Sequence, residues 1–285
     1  MTILVREPAD FRRACNDARA RSLRLGLVPT MGALHEGHFS LIDEARKHAD
    51  FVAVTIFVNP LQFAPGEDLD RYPRTMQSDL AGCHDRGVDL VFAPEPDAMY
   101  PAGFQTHVSV GELSKPLEGE FRPRHFDGVS TVVSKLFNLA GPCTSVFGRK
   151  DYQQWKILSR MALDLDLPVQ VVGCPIVRES DGLALSSRNR FLSSSERKRA
   201  IGIVLGLRRA YDSWCDGERQ PETLRALAME PVQAGFDRID YLAAVDPETL
   251  DRPTASSTRL LIAVAAHLGA TRLIDNIVLG DDSRP

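Results

Sequence analysis

Residues 29–38 read Pro29-Thr30-Met31-Gly32-Ala33-Leu34-His35-Glu36-Gly37-His38, between an apolar run at residues 23–28 and a helix-like pattern at residues 39–49. This order predicts a strand, a turn and the start of a helix. Backbone N–H groups at a helix start lack partners within the helix and carry partial positive charge. Gly32 and Gly37 let a ligand approach the main chain closely. The stretch therefore predicts a nucleotide site, with two imidazoles beside bound phosphate.

Two other interpretations of this stretch remain open. His35 and His38 could be a metal pair, but Gly37 between them disfavours a regular helical ligand face, and no His-Glu-x-x-His pattern is present. The two histidines could also simply pack in a loop. A second element of the sequence is needed to decide among these interpretations.

Two further segments carry side chains suited to phosphate. Residues 181–190 (DGLALSSRNR) place two hydroxyls and a guanidinium in a glycine-led segment, although Ser-Ser-Arg-Asn alone is also a common solvated turn. Residues 147–154 (FGRKDYQQ) pass from a strand end through a glycine to a helix start with a cation, an acid and amides. The arginine fork matches phosphate oxygens, and serine adds a donor. Three such segments predict one site for a polyphosphate.

These segments resemble the pantothenate synthetase (pantoate–β-alanine ligase) family, a member of the adenylate-forming and nucleotidyl-transferring superfamily with its His-x-Gly-His signature. The likeness covers nearly the whole chain, in order. It is carried by residues 28–38, 57–63 (FVNPLQF), 72–75 (YPRT), 117–119 (LEG), 122–123 (RP), 125–133 (HFDGVSTVV), 147–154 and 181–189.

The chain departs from the family pattern at three positions. Arg124 stands where we expect glycine, and Cys143 stands where an aspartate is common. Ser78 stands where some members carry a further acid beside Asp79. The sequence therefore does not offer a two-carboxylate magnesium clamp at residues 78 and 79.

Length and charge favour a soluble enzyme that binds small molecules. A chain of 285 residues buries roughly three quarters of its unfolded surface, enough for a full core and a smaller appended domain. The net charge of −4 and the pI near 6.0 leave no global basic field, so nucleic acid, including transfer RNA, is not an expected partner.

The cysteines and the apolar runs indicate the compartment. The five cysteines are odd in number and lack a Cys-x-x-Cys pair, which is typical of reduced thiols that fill a core. The sequence shows no leading apolar signal and no apolar run near the roughly 18 residues of a membrane span. We therefore expect a cytoplasmic protein without a membrane partner.

The first part of the chain alternates between strand and helix patterns. Strands are predicted at residues 23–28, 51–57, 88–92, 144–147 and 169–172, and helices at residues 39–49, 75–86, 129–139 and 152–165. This alternation predicts an α/β fold, a Rossmann-like parallel sheet with helices on both faces. Ligands of such sheets bind outside the carboxyl ends of the strands.

The second part predicts a smaller α+β domain. Residues 193–196 (SSSE) offer a capping box, Pro221 leads a second helix, and strands are predicted at residues 239–245, 259–265 and 272–278. We expect residues 1–176 to form the ATP- and pantoate-binding domain and residues 177–285 to act as a lid. The join falls between residues 175 and 190, and residues 59–74 together with the Ser-Ser-Arg segment are expected to order over bound ligand.

The resemblance implies an AMP-forming ligase that makes an amide bond. A carboxylate is a poor electrophile, so (R)-pantoate would first attack the α-phosphorus of ATP, releasing pyrophosphate. The amine of β-alanine would then displace AMP from pantoyl adenylate to give (R)-pantothenate. The first step spreads negative charge over phosphate oxygens, so catalysis would depend on positioning and on placed positive dipoles. The family also implies Mg²⁺ and a homodimer.

The catalytic set implied by the resemblance is His38, His35, Lys150 and Arg188. The family's proton-donor position matches His38, while His35 would help to hold ATP. Lys150 and Arg188 would meet the β- and γ-phosphates. The expected ATP-binding residues are Met31, Gly32, Ala33, Leu34, His35, Glu36, Gly37, His38, Gly148, Arg149, Lys150, Asp151, Val177, Leu185, Ser186, Ser187 and Arg188.

Three other residues have an implied role. Gln62 and Gln154 match pantoate-binding positions, and Gln62 also matches a position toward β-alanine; an amide can donate and accept at once. Asp79 is the candidate magnesium contact. Taken alone, each would be an ordinary surface side chain. The remaining histidines, including His125, are expected to be structural.

Two functions of other classes compete with this interpretation. The His-x-Gly-His turn also serves adenylyltransferases that leave AMP on a phosphate-bearing acceptor. A non-catalytic nucleotide-binding module would also keep the fold, but the intact His35, His38, Lys150 and Arg188 argue against it.

Overall fold

The structure, a computed structural model, describes residues 2–64, 69–254 and 257–285. It divides into two compact units. The larger unit consists of Met1–Arg149 and Gln153–Pro175, and the smaller unit consists of Lys150–Tyr152 and Ile176–Pro285. Lys150 therefore groups with the C-terminal part of the chain.

The larger unit contains a six-stranded parallel sheet, which confirms the predicted α/β fold. Its order is β1-β4-β3-β2-β5-β6, and each neighbouring pair runs parallel. The strands are β1 (Ile3–Val5), β2 (Leu25–Thr30), β3 (Phe51–Ile56), β4 (Leu90–Phe92), β5 (Cys143–Gly148) and β6 (Val169–Cys174). The edge strand β1 was not among the predicted strands.

The strand order reverses between β2 and β5. Gly26 pairs with Thr144 and Leu27 pairs with Ser145, while the other side of β2 pairs with β3. The carboxyl ends of β2 and β5 therefore lie side by side at one edge of the sheet. Open α/β sheets bind ligands at such a switch point.

Helices cover both faces of this sheet, as predicted. Leu27 and Val28 are neighbours on β2, yet they belong to different buried clusters, because side chains alternate along a strand. The first cluster includes Phe11 and Leu136, and the second includes Ile42. The helices are α1 (Pro8–Ala20), α2 (Glu36–His48), α3 (Met76–Asp85), α4 (Pro96–Met99), α5 (Glu118–Phe121), α6 (His125–Ala140) and α7 (Tyr152–Asp164).

The smaller unit packs two helices with an antiparallel sheet, which confirms the α+β fold predicted for the second part of the chain. The elements are α8 (Ser194–Cys215), α9 (Pro221–Gly235), β7 (Arg238–Val245), β8 (Leu260–Leu268) and β9 (Thr271–Leu279), with sheet order β7-β8-β9. The predicted capping box is present: the Ser193 hydroxyl accepts the Glu196 N–H, and the Glu196 carboxylate accepts the Ser193 N–H at 2.8 Å. Across the described part of the chain, no helix combines the length and apolar character that a bilayer crossing requires.

The five cysteines are free thiols, and four of them are shielded. Burial raises the pKa of Cys15, Cys83 and Cys143 to about 12. Burial also raises the pKa of Cys174 to about 11. Cys215 is exposed. Since the thiolate is the reactive form, the four shielded thiols should be inert in the native protein.

We therefore expect Ellman's reagent at about pH 8 to modify one thiol rapidly in the native protein and all five after denaturation. Cys215→Ser should abolish the rapid phase. A rapid phase that persists in this variant, or that equals two or more thiols, would contradict the burial of the other four.

Candidate active site

Two imidazoles cap the start of α2. The Gly37 N–H donates to Nδ1 of His35 at 3.1 Å, and the His35 N–H donates to Nδ1 of His38 at 3.4 Å. The two rings lie 4.2 Å apart between centroids. This reciprocal pair is a capping box built from histidines, and it explains why α2 begins at Glu36, three residues before the predicted start.

These hydrogen bonds determine which ring nitrogen carries the proton. A backbone N–H always donates, so Nδ1 of His35 and Nδ1 of His38 must both accept. The proton of each neutral ring is therefore on Nε2. Both rings present an Nε2–H donor, the group that a phosphate or carboxylate oxygen accepts.

The turn between β2 and α2 has an unusual backbone. Gly32 has φ of 84° and Ala33 has φ of 53°, so both lie in the left-handed region. A Cβ on Gly32 would lie 3.0 Å from Cγ2 of Ile56 and 3.1 Å from Oδ2 of Asp79, so both space and conformation require glycine. The Thr30 hydroxyl accepts the Gly32 N–H at 3.1 Å and donates to the Thr55 carbonyl at 2.7 Å, which ties the turn to β3.

Asp79 holds the same turn from α3. Its side chain is buried, with Oδ2 accepting the Ala33 N–H and Oδ1 accepting the Leu34 N–H, each at 2.9 Å. The Thr75 hydroxyl lies 3.1 Å from both oxygens. Over the described ranges, no group of three or more His, Cys, Asp or Glu could hold a metal ion. Asp79 is thus engaged with the turn, and the magnesium contact expected at this residue stays a prediction.

Gln62 lies in a 3₁₀ turn, Pro60–Gln62, and its side chain is held by the buried Asn59. Nδ2 of Asn59 donates to Oε1 of Gln62 at 3.0 Å, which turns the Gln62 amide N–H₂ toward Sδ of Met31 at 3.4 Å. The Tyr100 hydroxyl donates to Oδ1 of Asn59 at 2.7 Å, and burial raises the pKa of Tyr100, so it remains a donor. The amide of Gln62 therefore faces the β2–α2 turn as a donor.

The backbone of Gln62 is held from α6 and the segment before it. Its carbonyl accepts Nδ1 of His125 at 2.9 Å and Nη2 of Arg122 at 3.2 Å. Gly128 makes this approach possible, because a Cβ there would lie 2.4 Å from the carbonyl oxygen of Leu61. His125, expected to have only a structural role, thus positions the predicted substrate residue.

The two glutamines at the start of α7 have different surroundings. Gln153 is buried, and it accepts the Glu118 N–H at 3.0 Å and donates to the carbonyls of Leu113 and Pro116 at 2.9 and 2.7 Å. Gln154, the predicted pantoate residue, is half-buried. Gly148 ends β5, and a Cβ there would meet no described protein atom within 4 Å. Packing therefore does not require glycine at Gly148.

In the smaller unit, β9 holds two of the predicted segments. The Lys150 carbonyl accepts Nδ2 of Asn276 at 2.9 Å, and the Lys150 ammonium lies 3.7 Å from the Asp151 carboxylate. The buried Asp275 forms a two-bond pair with Arg178, at 2.6 and 3.0 Å. Adjacent residues of β9 thus fasten the backbone of the predicted phosphate lysine and the segment that leads to Ser186.

The Ser-Ser-Arg segment is a hydrogen-bonded turn. Arg178 and Ala184 form an isolated antiparallel bridge, and the Leu185 N–H donates to the Val177 carbonyl at 2.9 Å, which closes a short hairpin. The Ser186 hydroxyl then accepts the Arg188 N–H at 3.2 Å and caps the 3₁₀ turn Ser187–Phe191. Four predicted ATP residues, from Leu185 to Arg188, therefore follow one another in an ordered turn.

Each unit gathers a separate part of the predicted set. The larger unit brings together the 31–38 turn, Gln62 and Asp79 through the contacts above, and it places Gly148 at the same sheet edge. The smaller unit holds the predicted residues Lys150, Asp151, Val177, Leu185, Ser186, Ser187 and Arg188. The roles of Asn59, Arg122 and His125 were not predicted, although all three stand in windows that carry the family resemblance.

Comparisons with known proteins point to one family. The family model described as Pantoate-beta-alanine ligase matches residues 3–278. Pantothenate synthetase 1 of Bradyrhizobium diazoefficiens is 50% identical over 278 residues, 97% of this chain and 98% of the relative. The pantothenate synthetase of Geotalea uraniireducens is 48% identical over 280 residues, 98% of this chain and 99% of the relative.

Solved structures are also similar. Pantoate-beta-alanine (pantothenate synthetase) from Thermus thermophilus matches with a TM-score of 0.91 and 45% identity, over 97% of this chain and 99% of that chain. The pantoate-beta-alanine ligase of Francisella tularensis, crystallised with Beta-gamma ATP and β-alanine, matches with a TM-score of 0.80 and 30% identity over the whole of both chains.

Proposed function

The chain belongs to the pantoate-beta-alanine ligase family, and on this premise we propose how its residues join pantoate to β-alanine. The reaction is an ATP-dependent condensation by an AMP-forming ligase. One observation carries the proposal: two Nε2–H donors stand at the carboxyl end of β2, at the point where the sheet order reverses.

In the first step, a carboxylate oxygen of pantoate attacks the α-phosphorus of ATP. A C–O–P bond forms, the bond from the α-phosphorus to the bridging oxygen of the β-phosphate breaks, and pyrophosphate leaves with the electron pair. Negative charge grows on the phosphate oxygens as this happens. Nε2–H of His38 donates to that growing charge, and Nε2–H of His35 holds the nucleotide beside it.

ATP is held by main-chain groups as well as by cations. The start of α2 lies within residues 31–38, and the positive end of the helix dipole there favours an anion, while the N–H groups of Gly32, Ala33, Leu34, His35 and Gly37 already donate within the protein. Gly148 admits the nucleotide to the backbone at the end of β5. Lys150 and Arg188 neutralise the β- and γ-phosphates, with Ser186 and Ser187 as further donors. The proposed nucleotide-binding set is completed by Arg149, Asp151, Val177 and Leu185.

Pantoate is held by Gln62 and Gln154. The Gln62 amide nitrogen points toward the Met31 side of the turn, so it can donate to the pantoate carboxylate or hydroxyl. Holding the acid and ATP in register can supply roughly 7–11 kcal/mol of the barrier by avoided entropy loss. This explains why the chain uses Asn59, Arg122 and His125 to fix a single glutamine.

In the second step, the amine of β-alanine attacks the carbonyl carbon of pantoyl adenylate. Gln62 also binds the incoming β-alanine in this proposal. The C–N bond forms, the C–O bond to phosphate breaks, and AMP leaves with that electron pair. The amine loses one proton to the departing AMP or to solvent, which yields the amide of pantothenate. An adenylyltransferase acting on a phosphate-bearing acceptor is not favoured, since the relatives along the whole chain are pantothenate synthetases.

Three properties accompany this proposal. We propose that Mg²⁺ enters with ATP, whose phosphates and bound waters supply its oxygen ligands. The five free cysteines support a reducing compartment, the cytoplasm. We propose a homodimer on the basis of the family resemblance. Analytical ultracentrifugation at micromolar concentration distinguishes it from a monomer.

We also propose that residues 177–285 act as a lid and that residues 181–189 become more ordered over bound ligand. Amide hydrogen exchange of residues 181–189 should slow when ATP and pantoate are added together, and less with either alone. Exchange that stays the same under all conditions would exclude the lid. Residues 59–74 are the second segment expected to order over bound ligand, and they include residues 65–68, which lie outside the described residues.

Product analysis tests the function as a whole. Purified protein with ATP and Mg²⁺ should release pyrophosphate when pantoate is added, and free AMP plus an amide product when β-alanine follows. An adenylyltransferase would instead leave AMP bound to its acceptor. Absence of both pantoate-dependent pyrophosphate and pantothenate would overturn the proposed function.

A further inference from the structure

We propose that Asp79 is a positioning residue for the histidine turn, rather than a ligand of magnesium. Its carboxylate is seated between the N–H groups of Ala33 and Leu34, at 2.9 Å each. This inference rests on the proposed roles of His35 and His38. It goes further in assigning the residue that fixes where their rings stand.

The turn forms an anion-binding concavity that is already filled from within the protein. Successive N–H groups converge on one point when neighbouring residues take left-handed or turn conformations, as Gly32 and Ala33 do. The charge that fills this concavity is the Asp79 carboxylate. Asp79 is 46 residues from Ala33 in sequence, so the contact ties α3 to the β2–α2 turn.

The conformation of Ala33 indicates that this contact is needed. Ala33 has a side chain and a positive φ of 53°, a conformation that non-glycine residues adopt only when their surroundings enforce it. The Ala33 N–H is one of the two donors to Asp79, and the residue Ala33 is 1% exposed. The carboxylate therefore acts on the strained residue itself.

The donors also satisfy a buried charge. Asp79 is 2% exposed, and a buried carboxylate is costly unless charge-assisted hydrogen bonds replace its water. Two backbone amides and the Thr75 hydroxyl replace that water here. These three donors occupy three of the roughly four lone-pair sites of the carboxylate, so most of its capacity to accept is already used within the turn.

The consequence for the site follows from chain order. Leu34 directly precedes His35, whose N–H donates to His38, so the clamp on Leu34 fixes the peptide that leads into both rings. Gln62 is held by other residues, Asn59, Arg122 and His125. Loss of the clamp should therefore lower turnover and leave the binding of pantoate intact.

The test compares Asp79→Asn and Thr75→Val with two controls, Thr75→Ser and Ser78→Ala. Asparagine places an N–H₂ group against a backbone N–H, so one of the two amide contacts is lost. Thr75→Val removes the hydroxyl that orients Asp79, and Thr75→Ser restores it. Ser78 is exposed and its hydroxyl donates to the Thr75 carbonyl, so Ser78→Ala is the neutral neighbour.

Two readouts separate the possible roles. Amide exchange at Ala33 and Leu34, measured without ligands, should be at least about tenfold faster in Asp79→Asn, and faster to a smaller extent in Thr75→Val. The kcat of pantoate-dependent pyrophosphate release should fall about tenfold, less than the roughly hundredfold that a shift of about 1 Å can cost. The KM for pantoate and the Mg²⁺ concentration for half-maximal activity should not change, and both controls should match the wild type.

Other outcomes overturn the inference. If Asp79→Asn raises the Mg²⁺ concentration for half-maximal activity and excess Mg²⁺ restores kcat, Asp79 is a metal ligand. If exchange at Ala33 and Leu34 rises with no change in kcat, the clamp does not position the rings. Should Asp79→Asn fail to fold, the Thr75→Val and Thr75→Ser pair decides in the same way. If the wild type releases no pyrophosphate with pantoate, the proposed function fails, and the exchange readout still tests the clamp.

Discussion

Replacing His38 with asparagine is expected to lower the kcat of pantoate-dependent pyrophosphate release about 100- to 1000-fold, the usual cost of losing one donor to a developing oxyanion. Oδ1 of asparagine takes the place of Nδ1 and can still accept the His35 N–H, which keeps the helix cap. The Nε2–H donor is lost. Activity should therefore fall while the thermal unfolding midpoint stays near that of the wild type.

His38→Gln is the matched variant, because its amide nitrogen lies near the position of Nε2. It should keep more activity than His38→Asn and lose more of the cap. His84→Asn, on the exposed surface of α3, should behave as the wild type. Equal turnover in His38→Asn and the wild type would remove His38 from the chemistry.

Gly128→Ala is expected to lower kcat/KM for pantoate about 100-fold, because it displaces the turn that carries Gln62. An added Cβ would lie 2.4 Å from the Leu61 carbonyl oxygen and 2.6 Å from the Gln62 nitrogen, so α6 and the 3₁₀ turn must separate. A shift of about 1 Å in a substrate-positioning group can cost that much. The overpacking should also reduce the free energy of unfolding by about 1–3 kcal/mol.

Gly148→Ala provides the control for this substitution, since its Cβ would meet no described protein atom. It should leave the unfolding free energy and the KM for pantoate unchanged and raise the KM for ATP. Steady-state kinetics with each substrate varied in turn, and denaturant unfolding, measure both variants. A Gly128→Ala protein with an unchanged kcat/KM for pantoate would contradict the proposed role of Gln62 in placing this substrate.

Much of the fold could be predicted because the signals are local. β2, β3, β5 and β6 are apolar or β-branched runs close to the expected places, and the Ser193–Glu196 box and Pro221 mark the starts of α8 and α9. β1 and α1 were not predicted. β1 has three residues, and two of them, Ile3 and Leu4, are exposed at a sheet edge, so it lacks the buried pattern that indicates a strand.

Helix starts were less predictable where the site required unusual residues. α2 begins with imidazole caps in place of Ser, Thr, Asp or Asn, so the start was predicted too late. α6 begins at His125, four residues before the predicted start at residue 129. The prediction stopped at Gly128 because glycine disfavours a helix locally, whereas the structure uses this glycine for close packing.

The candidate site was predicted only in part for a related reason. The sequence identifies His35, His38 and Gln62 as chemical groups, but the contacts that orient them join distant residues. Asp79 reaches Leu34 across 45 positions, and His125 reaches Gln62 across 63. No pattern in a short window contains such contacts, so the supporting residues emerge only from the three-dimensional arrangement.

The histidine capping box means that two side chains to which we assign a chemical role also begin a helix. Ordinary helix starts of the Ser-x-x-Glu kind use residues with no further duty, as Ser193 and Glu196 do in α8. Such a pair at positions 35 and 38 would begin α2 as well and would carry no imidazole. Substitutions chosen only to increase stability could therefore replace both imidazoles, and the proposed function predicts that such variants lose activity while α2 still forms.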